Sequence, residues 1–217
     1  MMHQQAKWIL RTYPAAAVLA AALCVASCAA RSALGVDEAL DSSTGLTVST
    51  ARSALVFARG APRYSRSARD YVYVGPVETN RQGLREYYLW LGFGTTLDRG
   101  FLAPEDGAPQ TLYLRAGGEW MKLDLHPWAA RVPGLRTKGL YHTPVSIRTE
   151  LAARVTLNQL DWMDDDGLQA IRIADASGRT TEYTRWDGSP VWPGFVARAS
   201  GGTRGTQAHA ISTSNEP

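Results

Sequence analysis

The hydrophobic pattern along this chain has mostly the two-residue period of β-strands. Asp70–Glu78 reads DYVYVGPVE, which puts Tyr71 and Tyr73 on one face and Val72 and Val74 on the other. Arg85–Leu97, REYYLWLGFGTTL, places Tyr87, Leu89, Leu91 and Phe93 on one face and Tyr88 and Trp90 on the other. Apolar residues on both faces predict a central strand, covered on both sides. Asn80-Arg-Gln-Gly83 between the two runs predicts a turn and an antiparallel hairpin, and Gly92 and Gly94 predict a bulge or bend. Gly45–Thr50 and Ala54–Ala58 are shorter β-prone runs.

Two more hairpins follow the same logic. Thr111–Arg115 and Glu119–Leu125 flank Gly117-Gly118, with Met121, Leu123 and Leu125 opposite Lys122 and Asp124. Leu168–Ala174 and Arg179–Trp186 flank Asp175-Ala-Ser-Gly178. In that pair Arg172 and Arg185 are expected outward, and Ile171, Ile173 and Tyr183 inward. Thr156-Leu-Asn-Gln159 matches a capping box and predicts a short helix that ends by Gly167; a second helical turn is expected near Trp192–Ala199. The expected fold class is mainly β: an antiparallel β-sandwich or partly open barrel with one or two short helices.

The N-terminus has a different pattern. Lys7 and Arg11 are the charged residues before Ala15–Ser27, AAAVLAAALCVAS, a run of apolar and small residues. A basic segment followed by a short apolar one is a secretory signal, and this one falls short of the roughly 20 residues that span a bilayer. An ordinary signal peptide cut after Ala30 is the alternative. Val25-Ala26-Ser27-Cys28 resembles the lipobox of bacterial lipoproteins, an aliphatic residue and two small ones before Cys. The resemblance implies a diacylglyceryl thioether on Cys28, cleavage between Ser27 and Cys28, and acylation of the new amino group. Ala29 after the Cys implies the outer membrane, on its periplasmic face. Ala54-Leu-Val-Phe57, Tyr87-Tyr-Leu-Trp90 and Thr95-Thr-Leu-Asp98 are similar to uncharacterised proteobacterial lipoproteins, a likeness that implies no activity.

The expected organisation is a lipoprotein signal peptide at 1–27, a tether at 28–43, a single mainly β domain at 44–198 and a disordered tail at 199–217. A weak helix at 33–40 is one option within the tether. Cys28 is then the one cysteine of the mature chain, because Cys24 lies in the leader. Lys+Arg 23 against Asp+Glu 20 gives +3, too small an excess for a nucleic-acid binder. Loss of Lys7 and Arg11 brings the mature chain close to neutrality. Membrane residence rests on the acyl chains: one binds marginally, two or three hold firmly.

The candidate chemistry is sparse. His126 and His142 precede turns and have no second ligand at metal spacing; His209 lies in the tail. Asp164-Asp-Asp-Gly167 fails as a calcium loop at both ends, since Trp162 and Ile173 fall where ligands are required. Glu78, Glu86, Asp98 and Glu150 are carboxylates whose separation the sequence does not fix. No nucleophile motif, phosphate loop, metal or cofactor is expected. Arg59, Arg63, Arg66 and Arg69 form a basic run whose surface-contact reading is lipid headgroups, lipopolysaccharide phosphate or an acidic partner, against a solvated loop. Trp128 and Trp192, each beside Pro, are the tryptophans expected to be exposed. A binding or structural module that engages an envelope protein or glycan is the expected function; a small envelope hydrolase acting on a cell-wall or glycan substrate is the alternative.

Overall fold

Strand pairing in the computed structural model follows the sequence hairpins and joins them into one sheet. The structure describes residues 35–42, 44–61, 65–96, 109–131, 139–188, 192 and 194–201. The strands are β1 Val36–Asp41, β2 Leu46–Ala51, β3 Leu55–Gly60, β4 Arg69–Arg81, β5 Leu84–Thr95, β6 Pro109–Ala116, β7 Glu119–Asp124, β8 His126–Pro127, β9 Ile147–Val155, β10 Leu168–Asp175 and β11 Thr180–Arg185. Their order is β7-β6-β10-β11-β3-β4-β5-β9-β8, all antiparallel. β7 returns beside β9, so the sheet is a nearly closed barrel. Between sandwich and barrel, the barrel is what forms.

Long strands β4 and β5 organise this. The first half of β4 pairs with β3 and the second half with β2, so β2 and β3 lie end to end along one edge of it. β5 is covered by β4 on one side and β9 on the other, as its two apolar faces require. A register shift at Phe93/Gly94 marks the expected irregularity. Leu55, Phe57, Val72, Leu91, Leu114 and Ile171 share the inner face by register and are fully buried. Each such side chain contributes about 1.5–3 kcal/mol on burial. The barrel axis is therefore filled with apolar side chains.

The outer face of β4, β5 and β9 is covered as well, and its aromatic residues belong to the same hydrophobic cluster. Trp90 is buried against Tyr141, with ring centroids 5.3 Å apart. Tyr88 meets Trp128 edge-on at 6.2 Å. The helix Leu157–Asp166 begins with the capping box: Thr156 Oγ1 accepts from Gln159 N, and Thr156 N donates to Gln159 Oε1 at 2.8 Å. Leu160 and Met163 on this helix enter the core. Helix 194–201 buries Phe195, Val196 and Ala199, and its Arg198 bonds Glu38 of β1 at 2.5 Å. With the four-residue Trp128–Arg131, these make three short helices.

Four readings change. From Val36 the supposed tether is a strand, because β2 offers an open edge that VDEALD fills despite its low β-propensity, and the helix option over 33–40 gives way to β1 from there on. Residues 147–155, unassigned from the pattern, form β9. Arg185 shares the inward parity of Tyr183 rather than facing out; its side chain is largely buried, with Nη1 on Leu168 O at 3.0 Å and Nε on Asp187 at 2.7 Å. Residues 199–201 extend the final helix; the rest of the expected tail, the leader and Cys28 lie outside the described residues.

Candidate functional site

Alternation along β4 sends Arg69, Tyr71 and Tyr73 to the outer face of the barrel. Trp186 joins them because its backbone N–H continues the β11–β3 ladder, donating to Val56 O at 2.8 Å. The Trp186 indole is 56% exposed. The Arg69 guanidinium lies over it, 4.8 Å from the ring centroid. Tyr71 meets the same indole edge-on at 6.3 Å and stacks on Tyr73 at 6.3 Å. Burial raises the Tyr73 pKa, with the Val145 backbone opposing the shift.

The backbone at Arg69 is pinned. Its N–H donates to Thr96 Oγ1 at 3.0 Å, and its carbonyl accepts from Thr96 N at 3.1 Å and Thr95 Oγ1 at 3.3 Å. The result is a held aromatic row ending in a planar cation. Such a surface can stack on a sugar ring or a flat side chain and pair with a carboxylate or phosphate.

The basic run does not gather in space. Arg59 faces the barrel interior, where Nε donates to the fully buried Asp70 at 3.0 Å and the guanidinium sits 5.4 Å from the Tyr183 centroid. Arg69 points to the opposite face. Arg66 is exposed in the turn held by Ala68 N on Ser65 O, and Arg63 lies outside the described residues.

The exposed tryptophans differ from those expected. Trp128 and Trp192 are buried; Trp186 and Trp120 are exposed, Trp120 by 37%. Trp120 stands on the outer face with Arg172 at 4.5 Å and Arg115 at 6.0 Å. Arg172 also pairs with Glu182 at 2.7 Å. Parity was the available signal, since Met121 and Leu123 face inward and Trp120 therefore faces out. Proximity to Pro, which favoured Trp128 and Trp192, reports a turn and not exposure.

The carboxylates are dispersed. Glu78 is buried and faces Arg85 at 3.6 Å. Glu86 holds Arg154 at 2.9 Å and accepts from Tyr88 at 3.0 Å. Glu150 lies opposite Gly92 in the β5–β9 ladder. Burial raises its pKa, and the neighbouring Trp90 indole N–H offsets this only in part, making no well-formed hydrogen bond. Asp98 lies outside the described residues, as do Ser27, Cys28 and His209. His126 is half-buried in β8 and His142 is exposed. Asp164 closes the capped helix before Gly167, which takes φ 69°.

No family model matches the chain, and no curated protein or solved structure matches it significantly.

Proposed function

We propose that this is a lipid-anchored envelope lipoprotein whose domain binds a protein or glycan partner through the Arg69–Tyr71–Trp186 face. The observation that carries the binding reading is the exposed Trp186 indole under the Arg69 guanidinium. A large indole left in water beside a cation whose own backbone is held by three hydrogen bonds is prepared for a flat or anionic group. The filled barrel axis supports the same reading by directing recognition to the outside. Val25-Ala26-Ser27-Cys28 supports anchoring by acyl chains on Cys28, at the periplasmic face of the outer membrane.

The hydrolase alternative has less support. Glu78 and Glu86 are each engaged by an arginine, and Glu150 lies against Trp90 in another part of the ladder.

Two measurements test the reading. Cys28→Ser should abolish incorporation of labelled palmitate and leave the precursor uncleaved; a variant that still matured and partitioned with membranes would refute the anchor. Cross-linking in intact cells and sedimentation with purified sacculi should each be compared for the wild type and Trp186→Ala. A partner captured by one method and lost in the variant supports this face. Equal capture by both forms removes it.

A further inference from the structure

The strand β1 shortens the link to the membrane. Val36 is eight residues beyond Cys28. Eight residues reach at most about 27 Å when fully extended, so an anchor at Cys28 holds the domain against the bilayer. The question is then which end of the domain meets the lipid.

The row Asp37–Thr50–Val77–Tyr88 crosses the sheet close to where β1 begins. Val36 itself lies one position further back, level with Pro76, so five residues of β4 lead to Arg81 and the β4–β5 turn, about 16 Å away, and seven lead back to Arg69, about 23 Å away. The turn end is the nearer one, and because β1 runs toward it the linker doubles back beside the strand to bring the lipid there. There the β1–β2 and β4–β5 turns lie side by side, through the row Leu40–Thr47–Asn80–Arg85 and the next pair, Arg81–Leu84.

This end carries the most exposed large apolar residues described: Leu84 at 76% and Leu40 at 69%. Leu40 shares a face with Arg85, and Leu84 shares the opposite face with Arg81. An apolar group on each face of a paired tip suits insertion end-on better than contact with a flat partner. The tip is stiff. Gln82 at φ 51° and Gly83 at φ 94° form its turn, and Gly83 N–H donates to Asn80 Oδ1 at 2.8 Å. Of the nearby carboxylates, Glu78 is engaged by Arg85, Glu38 by Arg198 and Glu86 by Arg154, and Asp41, next to Leu40, has its Oδ2 buried. Arg81 is exposed at the tip, where a guanidinium complements lipid phosphate.

We propose that the domain seats on the bilayer through this double-turn tip, with Leu40 and Leu84 entering the lipid and Arg81 at the phosphates. The proposal rests on the anchoring of Cys28 given above. It turns the Arg69–Trp186 face, at the other end of β4, away from the membrane and toward a partner.

The test uses the lipidated full-length protein, produced with its own leader and reconstituted in phosphatidylethanolamine–phosphatidylglycerol vesicles. The Cys28 sulfur is blocked by lipid, so Leu84→Cys, Leu40→Cys and, at the far end, Ser67→Cys accept a fluorophore at one site each. Acyl-chain-brominated lipids should quench labels at 84 and 40 at least twofold more than at 67, and Arg81→Glu should reduce quenching at 84. Quenching at 84 and 40 no greater than at 67, in protein that floats with the vesicles, overturns the tip and leaves the anchor standing. Failure of the protein to float, with Cys28→Ser behaving alike, overturns the anchor and the tip with it.

Discussion

The Tyr141 ring occupies the space that a side chain at Gly75 would fill. A Cβ on Gly75 would fall on the Tyr141 ring carbons, and the Tyr141 hydroxyl donates to Pro76 O, next along β4, at 2.5 Å. The segment over the outer face of the barrel is thus keyed to one strand by a missing side chain and one hydrogen bond. Burial also holds the Tyr141 pKa well above the usual phenol range, so the hydroxyl remains a donor.

This key is testable by two substitutions of different kinds. Gly75→Ala overpacks the site and should destabilise by about 1–3 kcal/mol, lowering the denaturant midpoint with little change in slope. Tyr141→Phe removes the donor yet keeps the ring, and should lose about 1 kcal/mol. A Gly75→Ala protein as stable as the wild type would show that the segment moves aside freely.

The hairpins were legible because glycine turns interrupt alternating runs, and β5 because Leu89 and Trp90 make both of its faces apolar. β9 was obscured, although Ile147, Leu151 and Val155 alternate, because Arg148, Glu150 and Arg154 and two alanines dilute the run. β1 was hidden for a different reason: Asp, Glu, Ala and Leu have no strand preference of their own, and the open edge of β2 imposes it. For the site, sequence proximity grouped Arg59 with Arg69, but Gly60 pairs with Arg69 across the ladder, so the two arginines fall on opposite faces. Trp186 is the converse: its place beside Tyr71 comes from a long-range pairing with Val56 that no local pattern encodes.

Trp186→Ala should separate binding from stability. The indole is mostly exposed, so losing it removes a cation–π contact of about 0.5–1 kcal/mol. If the indole anchors a partner, its loss should weaken binding by about 2 kcal/mol, roughly thirtyfold in Kd. Thermal unfolding and titration on the same preparation check the pair. A large fall in Tm with unchanged affinity would make Trp186 a packing residue.

Arg59→Ala should be costly in a way Arg66→Ala is not. Asp70 is fully buried, and removing Arg59 takes away a partner at 3.0 Å. Breaking a buried pair costs roughly 3–5 kcal/mol; with Arg59 40% exposed, water already screens it, and a loss of about 2–3 kcal/mol is expected. Arg66 is exposed, and its substitution should stay within about 0.5 kcal/mol. Urea unfolding of both variants is the measurement, and equal stabilities would mean that Asp70 is held by its other contacts.

Glu150 gives the fold a pH dependence of definite sign. Burial raises its pKa in the folded chain above the 4.5 of an ordinary glutamate, so the native state binds the proton more tightly than the unfolded state. Between the unfolded and folded pKa values the native state therefore carries the extra proton, and stability from this group falls as pH rises. Above the folded value both states are ionised and the full penalty of the half-buried carboxylate remains. Below the unfolded value both are protonated and the penalty vanishes. Glu150→Gln keeps the shape without the charge, so it should be more stable than the wild type at pH 7, with the difference shrinking as pH falls from the raised folded value toward the usual glutamate value and gone below it. Thermal unfolding of both proteins from pH 7 down to pH 4 measures this. A constant difference across that range, or a variant less stable at pH 7, would mean that the ionised Glu150 accepts a hydrogen bond worth more than its burial costs, with the Trp90 indole N–H as the nearest donor.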